Sequence, residues 1–314
     1  MGLSALGRLL GILCTLWIVS IVVFGLQHLL PGDPAVVLAG EDRSPETVAA
    51  IRERWKLDEP VVVQYGYWLA RVVQGDLGES MRLNMSVAAL LAEKLPVTLQ
   101  LATMALLLAV AMGVTGGILA AARPDSWIDQ LANLAGLIGL SIPNFWLGIL
   151  LIMLVSVQWG LLPASGYVSP FVDPIGNLKA MIMPAFVLAT GVAAVLMRHT
   201  RSAMLEVLGA NYVRTARAKG LAEYRVLLGH ALRNAMLPVI TVAGDQAAGI
   251  VNGAVIVESI FGWPGVGKLM IDSIIQRDFA IIQASIFVTA TLIFIMNIGI
   301  DLAYAKLDPR VRQG

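Results

Sequence analysis

Long apolar runs separated by polar stretches organise most of this sequence. A helix needs roughly 20 mostly apolar residues to cross the hydrocarbon core of a bilayer. Six runs approach or exceed that length: Leu9–Leu26, Leu95–Ala122, Trp127–Trp159, Ala180–Met197, Leu237–Ile260 and Ile281–Ala303. The pattern therefore predicts an all-α membrane protein with six transmembrane helices.

One long polar stretch, Pro31–Lys94, lies between the first two apolar runs. Ser44 followed by a proline and a glutamate is a typical helix start, and that helix is expected to reach about Trp55. Val61–Val73 has aromatic and aliphatic residues at helical spacing, which indicates an amphipathic helix. We expect an extracytoplasmic domain at residues 31–94, after an N-terminal transmembrane helix at residues 1–30 and before a five-helix core at residues 95–314.

Two of the apolar runs contain polar residues that are unusual inside a membrane. Pro143, in the segment from Ser141 to Trp146, removes a backbone donor and should kink the third span. Residues such as Asp245 in the fifth span are costly unless they face a polar interior. Both segments either line a path or serve packing alone. The candidate path residues are Ser141, Asn144, Asp245, Gln246 and Asn252.

Composition excludes several classes of function. The 314 residues are 58% hydrophobic and 14% charged, with a net charge of +1, so no basic surface is left for a nucleic-acid partner. A single cysteine and three scattered histidines predict no metal site and no disulfide framework. Gly262–Leu269 matches a phosphate-binding loop except that Leu269 replaces the serine or threonine that would hold magnesium. We expect no catalytic residues and no cofactor bound by this chain.

The distribution of basic residues predicts the orientation of the spans. Outside the long polar insertion, 12 lysines and arginines fall on one side and three on the other. Short loops rich in lysine and arginine face the cytoplasm, so both termini should be cytoplasmic. The segment Arg198–Pro238 alone contains 7 of the 22 basic residues.

Asn211–Lys219, inside that basic segment, has the pattern of a short helix. Val213, Ala216 and Gly220 share one face, and Gly220 is placed to end the helix in a left-handed conformation. Because Ala216 and Gly220 are small and four residues apart, we expect another protein surface to approach that face closely.

This basic segment resembles the cytoplasmic coupling loop of binding-protein-dependent ABC importer permeases. The similarity rests on Tyr-Val-Arg-Thr-Ala-Arg-Ala-Lys-Gly220 and on His-Ala-Leu-Arg-Asn-Ala-Met-Leu-Pro238. Arg214 and Arg233 depart from the general pattern, and both departures resemble the dipeptide, oligopeptide, nickel and glutathione branch. Further similar segments are Ser-Ile-Pro-Asn-Phe-Trp146, Pro-Gly-Val-Gly267, Pro31–Pro34 and Asp308–Arg310.

The resemblance implies a type I importer fold and a set of partners in the bacterial inner membrane. These are a second, similar permease subunit, two cytoplasmic ATPases that bind ATP and magnesium, an external substrate-binding protein and membrane lipid. It implies a coupling loop at residues 198–236, whose contact residues are Tyr212, Arg214, Ala216, Arg217, Lys219 and Gly220. It also implies an outer loop with Glu258, Phe261, Pro264, Gly265, Gly267 and Asp278.

Within this family, peptides are the expected cargo, and glutathione, nickel chelates and sugars are alternatives. Two other classes compete with the permease interpretation. A secondary transporter would favour matching broken helices in two half-repeats, which this sequence lacks. An intramembrane hydrolase would need a histidine at the depth of a serine such as Ser165, and no histidine lies in a span at that depth.

Overall fold

The structure is a computed structural model that describes residues 5–29, 33, 35, 36, 39, 44–80, 82, 83 and 85–307. The resemblance at residues 308–310 and most of that at residues 31–34 lie outside these residues. The α-helices are α1 (Ala5–Leu29), α2 (Pro45–Trp55), α3 (Val61–Val73), α4 (Val87–Ala122), α5 (Trp127–Ser141), α6 (Asn144–Leu151), α7 (Pro174–Leu208), α8 (Asn211–Ala218), α9 (Glu223–Arg225), α10 (Leu232–Ile260), α11 (Val266–Gln276) and α12 (Phe279–Leu307). Two π-helical segments, Ile152–Gln158 and Val226–Ala231, continue α6 and precede α10. Strands β1 (Glu79–Ser80) and β2 (Met85–Ser86) form an antiparallel hairpin, a small departure from the all-α prediction.

Four helices among the described residues are long and apolar enough to cross a membrane, and five if one bent pair counts as a single span. The four are α4, α7, the continuous segment Glu223–Ile260 and α12 as far as Gly299. A shorter apolar stretch, Leu13–Gly25, lies in α1. These helices account for most of the predicted spans, while the count of six stays a prediction.

The bent pair is the interrupted third span. α5 and α6 make an angle of 103° at a break that contains Pro143. Pro143 is the residue before α6 and has an extended backbone, while Ile142 caps α5. The predicted kink is therefore confirmed, and it turns the chain by slightly more than a right angle.

Contacts divide the chain into two units, the first formed by residues 1–97 and 264–294. Its apolar core consists of Val87, Leu90, Leu91, Val266, Ile281 and Ala284. On α3, Tyr65 and Trp68 place their rings 5.5 and 5.6 Å from the ring of Phe24 in α1. Ser44 caps α2 by accepting a hydrogen bond from the amide of Thr47, as the sequence predicted.

The second unit comprises residues 98–263 and 295–314. Its core helix is α7, which buries 67% of its most apolar window, against a third or less for the other candidate spans. α5, α6 and α10 all pack on α7. Gly113 and Gly117 of α4 contact α7 so closely that an added Cβ would lie 2.6 Å from the Cβ of Leu196 and 2.5 Å from the Cβ of Thr200. Two glycines four residues apart allow such close packing between helices.

The described helices extend beyond the apolar runs. α4 begins at Val87, so the predicted start of the second span at Leu95 lies inside a helix, with Pro96 in its interior. Similarly, α7 continues from the fourth apolar run to Leu208, so the first part of the predicted loop 198–236 is helical. Apolar runs mark the length that matches a bilayer, whereas the hydrogen-bonded helix continues wherever polar side chains can be solvated.

Candidate functional site

Helix α8 is held against its own chain by one face. Val213 is fully buried and Ala216 is 7% exposed. Both belong to an apolar cluster with Val207, Leu208, Leu221 and Val226. The expectation that Ala216 leaves room for another protein is therefore wrong, because this side chain faces the end of α7 and the start of the π-helical segment.

The opposite face of α8 is exposed and basic. Arg214, Arg217 and Lys219, here named the basic face of α8, are all exposed, and Tyr212 is 43% exposed beside them. The Tyr212 hydroxyl accepts a hydrogen bond of 2.8 Å from Asn234 Nδ2, which ties this face to α10. All the predicted coupling residues except Ala216 are therefore exposed, while their contact with an ATPase stays a prediction.

Two features fix the end of α8. Arg217 donates hydrogen bonds to Glu223 at 2.6 and 3.2 Å, and these bonds raise the pKa of the guanidinium above its ordinary value. Gly220 has a φ of +74°, which confirms the predicted left-handed helix end. Nothing lies within 4 Å of a Cβ added at Gly220, so this position is open to a partner.

The end of α7 is clamped to α5 by a pair that the sequence analysis missed. Arg201 donates to both carboxylate oxygens of Asp129, at 2.6 and 2.7 Å. Asp129 is only 2% exposed and also accepts from Asn133 and from the amide of Asp125. A buried carboxylate requires such partners. An acid at the start of an apolar helix was a signal that could have found it.

The polar residues of α10 lie along an uncovered stripe. Thr241, Asp245, Gly249, Asn252 and Ile256 are all exposed at intervals of three or four residues. Residues seven apart on a helix share a face, with a rise of about 10 Å. The opposite side of α10 packs on α7. Asp245 is therefore not a buried packing residue in this chain.

The break between α5 and α6 brings one predicted path residue to α10. Asn144 opens α6, and its Nδ2 would lie 3.7 Å from a Cβ added at Gly253. Ser141 ends α5 and is exposed. Gln246 is half-buried at the edge of the exposed stripe. The structure thus places Asn144 beside Gly253, the residue after Asn252, and leaves Asp245 about two helical turns away along α10.

The predicted outer-loop residues divide between the two units. In the second unit, Glu258 is fully buried and accepts a hydrogen bond of 2.7 Å from the Thr98 hydroxyl. Phe261 is buried against Gly148. In the first unit, Pro264 and Gly265 precede α11, Gly267 is buried within it, and Asp278 accepts a hydrogen bond from Ser80. The hydrogen bond between Thr98 and Glu258 was not predicted from the sequence.

The segment that resembles a phosphate-binding loop has a different setting. It follows helix α10, whereas a phosphate-binding loop follows a strand. Lys268 forms an ion pair of 2.7 Å with Asp272 one turn later. Gly267 and Val266 are buried. Among the residues that the structure describes, no group of three or more histidine, cysteine or acidic side chains could hold a metal ion.

Comparison with known families decides the class of the protein. The family described as binding-protein-dependent transport system inner membrane component matches residues 113–313, and its N-terminal part matches residues 5–102. The chain belongs to this family. The matched ranges include the whole coupling segment and both halves of the bent span.

Two relatives in the family have sequences similar to this one over nearly the whole chain. The dipeptide transport system permease protein DppB of Escherichia coli (strain K12) is 42% identical, over 97% of each chain. The glutathione transport system permease protein GsiC of Escherichia coli O6:H1 is 40% identical, again over 97% of each chain. A solved structure described as inward facing conformations of the MetNI methionine ABC transporter has a TM-score of 0.58 at 17% identity, covering 70% of this chain and 96% of its own. That likeness shows the fold.

Family membership confirms the main sequence prediction. The chain is a permease subunit of an ABC importer and not a catalytic enzyme. This interpretation holds over the secondary transporter and the intramembrane hydrolase.

Proposed function

We propose that this chain is one of two permease subunits of an ATP-driven importer that carries peptides across the bacterial inner membrane. Its 42% identity to a dipeptide permease over nearly the full length supports this cargo. Glutathione is the alternative, because a glutathione permease is 40% identical over the same share of the chain. Nickel chelates and sugars are further alternatives with the same architecture.

In this proposal the chain crosses the membrane six times, with both termini in the cytoplasm. α1 is the first span, the bent pair of α5 and α6 is the third, and residues 31–94 form the external domain. The excess of basic residues in the segments assigned to the cytoplasm supports this orientation.

Four partners complete the transporter. The basic face of α8 receives one of two ATPases, which bind the ATP and magnesium. The exposed polar stripe of α10 faces the second permease subunit across the path. An external binding protein delivers the substrate. A polar stripe on an apolar helix is costly against lipid, which supports a protein or aqueous neighbour at this surface.

Force from the ATPase passes first into α7. α8 is packed through Val213 and Ala216 on the residues that end α7 and begin the π-helical segment. A push on the basic face therefore moves the end of α7 with it, because packed interiors transmit displacement instead of absorbing it.

From α7 the displacement continues to the broken span. Arg201 lies two turns before the end of α7, and its paired hydrogen bonds hold the start of α5. α5 ends at Ser141, beside the turn that orients Asn144 toward α10. Movement of α8 thereby changes the lining of the path, as alternating access requires.

The observation that supports this mechanism is that only one face of α8 is buried. That face is anchored on the rest of the chain, and the other is open and basic. The test is reconstitution of the chain with its second permease, its ATPases and its binding protein in liposomes. We expect ATP-dependent uptake of a labelled dipeptide that exceeds uptake of labelled glutathione. Faster uptake of glutathione would reverse the choice of cargo, and uptake without ATP would contradict the coupling.

A further inference from the structure

A cavity of about 310 Å³ lies in the first unit, at the end of α1 and the start of α12. Phe24 and Phe279 line it from these two helices, and Trp55, Tyr67 and Trp68 line it from α2 and α3. Small-molecule sites occupy about 300–1,000 Å³, so this cavity can hold a headgroup and part of one chain.

The position of the cavity relates it to the bilayer surface. α12 is apolar enough to cross a membrane from Phe279 onward, and the apolar stretch of α1 ends at Gly25, next to Phe24. Tryptophan and tyrosine concentrate at the interface between hydrocarbon and water. We therefore expect the aromatic wall to lie where lipid headgroups meet acyl chains.

The wall is rigid. Trp68 contacts the ring of Phe24 at 5.6 Å and that of Phe287 at 6.3 Å, so α3 is packed on both apolar helices. Gln64 donates to the carbonyls of Leu57 and Glu59 and thereby fixes the turn at the mouth of the cavity.

The charge of the lining is positive. Lys56 and Arg71 are the charged residues among the described lining residues. Arg71 stacks on the ring of Trp55 at 4.5 Å and is paired with Asp76 at 2.8 Å. Lys56 is exposed, and its ammonium group has no hydrogen-bond or ion-pair partner among the described residues. An anion in the cavity would pair with Lys56.

We propose that this cavity binds an anionic phospholipid of the surrounding bilayer. The phosphate pairs with Lys56, and the upper acyl chain lies against Phe24, Trp68 and Phe279. The external helices α2 and α3 are thereby attached to the membrane through a lipid.

The experiment uses the complete transporter in a bilayer of phosphatidylethanolamine with a minority of phosphatidylglycerol. A photo-reactive phenylalanine analogue replaces Tyr67, which lines the cavity and is 54% exposed, or Trp17, a control on α1 that is 57% exposed. Mass spectrometry identifies the adducts. One basic residue near the membrane surface favours binding of an anionic lipid by about fivefold. We therefore expect phosphatidylglycerol adducts at Tyr67 to be enriched by this factor over their share of the bilayer, and no enrichment at Trp17.

Variants at Lys56 separate charge from structure. Lys56→Gln should abolish the enrichment at Tyr67, whereas Lys56→Arg should keep it. Soluble glycerol phosphate at the same concentration should not compete, because it lacks the acyl chain. Equal lipid adducts at Tyr67 and Trp17, adducts of peptide or protein at Tyr67, competition by glycerol phosphate, or enrichment unchanged in Lys56→Gln would each overturn the proposal.

Discussion

Arg201 and Asp129, 72 residues apart in sequence, form a two-pronged ion pair with N–O distances of 2.6 and 2.7 Å. The pair joins the end of α7 to the start of α5. It adds a charged link to the packing of α5 on α7, the helix that leads to α8. Its carboxylate is almost fully buried, so its loss has consequences for both stability and coupling.

Removal of Arg201 tests this link. Arg201→Ala leaves the Asp129 carboxylate buried without its cation, which typically costs about 3–5 kcal/mol. We expect lower thermal stability of the purified complex and fewer substrate molecules imported per ATP hydrolysed. Arg201→Lys keeps the charge but not the paired geometry and should give intermediate values. Wild-type stability together with wild-type uptake per ATP in Arg201→Ala would refute the clamp.

Because α4 packs closely on α7, replacing two neighbouring glycines of α4 by alanine should lower stability by different amounts. A Cβ at Gly117 would meet the Cβ of Thr200 at 2.5 Å and the carbonyl oxygen of Met197 at 2.8 Å. At Gly116 the nearest atoms all belong to the flexible Met197 side chain, with Cε at 2.7 Å. We expect Gly117→Ala to lower the free energy of unfolding by about 1–3 kcal/mol, and Gly116→Ala by less. Thermal unfolding in detergent measures both, and equal effects would contradict this packing.

Substitution of Asp245 tests whether this face of α10 lines the path or serves only in packing. Because Asp245 is exposed in this chain, Asp245→Leu should change the thermal stability of the purified complex little. We propose that Asp245 makes one charge-assisted hydrogen bond in the path, so uptake should fall by roughly tenfold or more. Thr241→Val, on the same exposed stripe, is the control for a change without loss of charge. Normal uptake by Asp245→Leu would remove this residue from the path.

The proposed orientation is tested by accessibility. Glu53, Gln276 and Glu223 are all exposed in the structure. With Cys14 replaced by serine, single cysteines at Glu53 and Gln276 should react with an impermeant thiol reagent from outside intact cells. A cysteine at Glu223 should react only after the membrane is opened. The reverse pattern would invert the topology.

Local features of this structure could be predicted because neighbouring residues determine them. The Ser44 cap and the left-handed Gly220 follow from turn and helix-end chemistry, and α3 has the predicted bounds.

Pairings between distant segments could not be predicted in the same way. The sequence shows that Asp129 needs a partner but does not say that Arg201, 72 residues later, supplies it. Ala216 was misinterpreted because a small side chain fits a partner surface and an internal contact equally well. The structure decides by burying Ala216 with Val213 and leaving Gly220 open.

A single substitution at Gly220 should disturb the coupling between ATP hydrolysis and transport. Its φ of +74° would strain a β-branched residue by roughly 1–2 kcal/mol, and the added side chain would point into open space. Gly220→Asn tolerates the left-handed backbone but still adds bulk, so it separates strain from obstruction. Gly229→Val, where a Cβ also meets nothing within 4 Å, is the control for added bulk elsewhere in the coupling segment.

The most direct test of coupling through α8 is uptake and ATP hydrolysis by Gly220→Val, measured in the same liposomes with loaded binding protein and with wild type beside it. We predict normal amounts of the assembled permease, lost uptake and hydrolysis that loaded binding protein no longer stimulates. Wild-type uptake together with wild-type stimulated hydrolysis would show that α8 is not the coupling element.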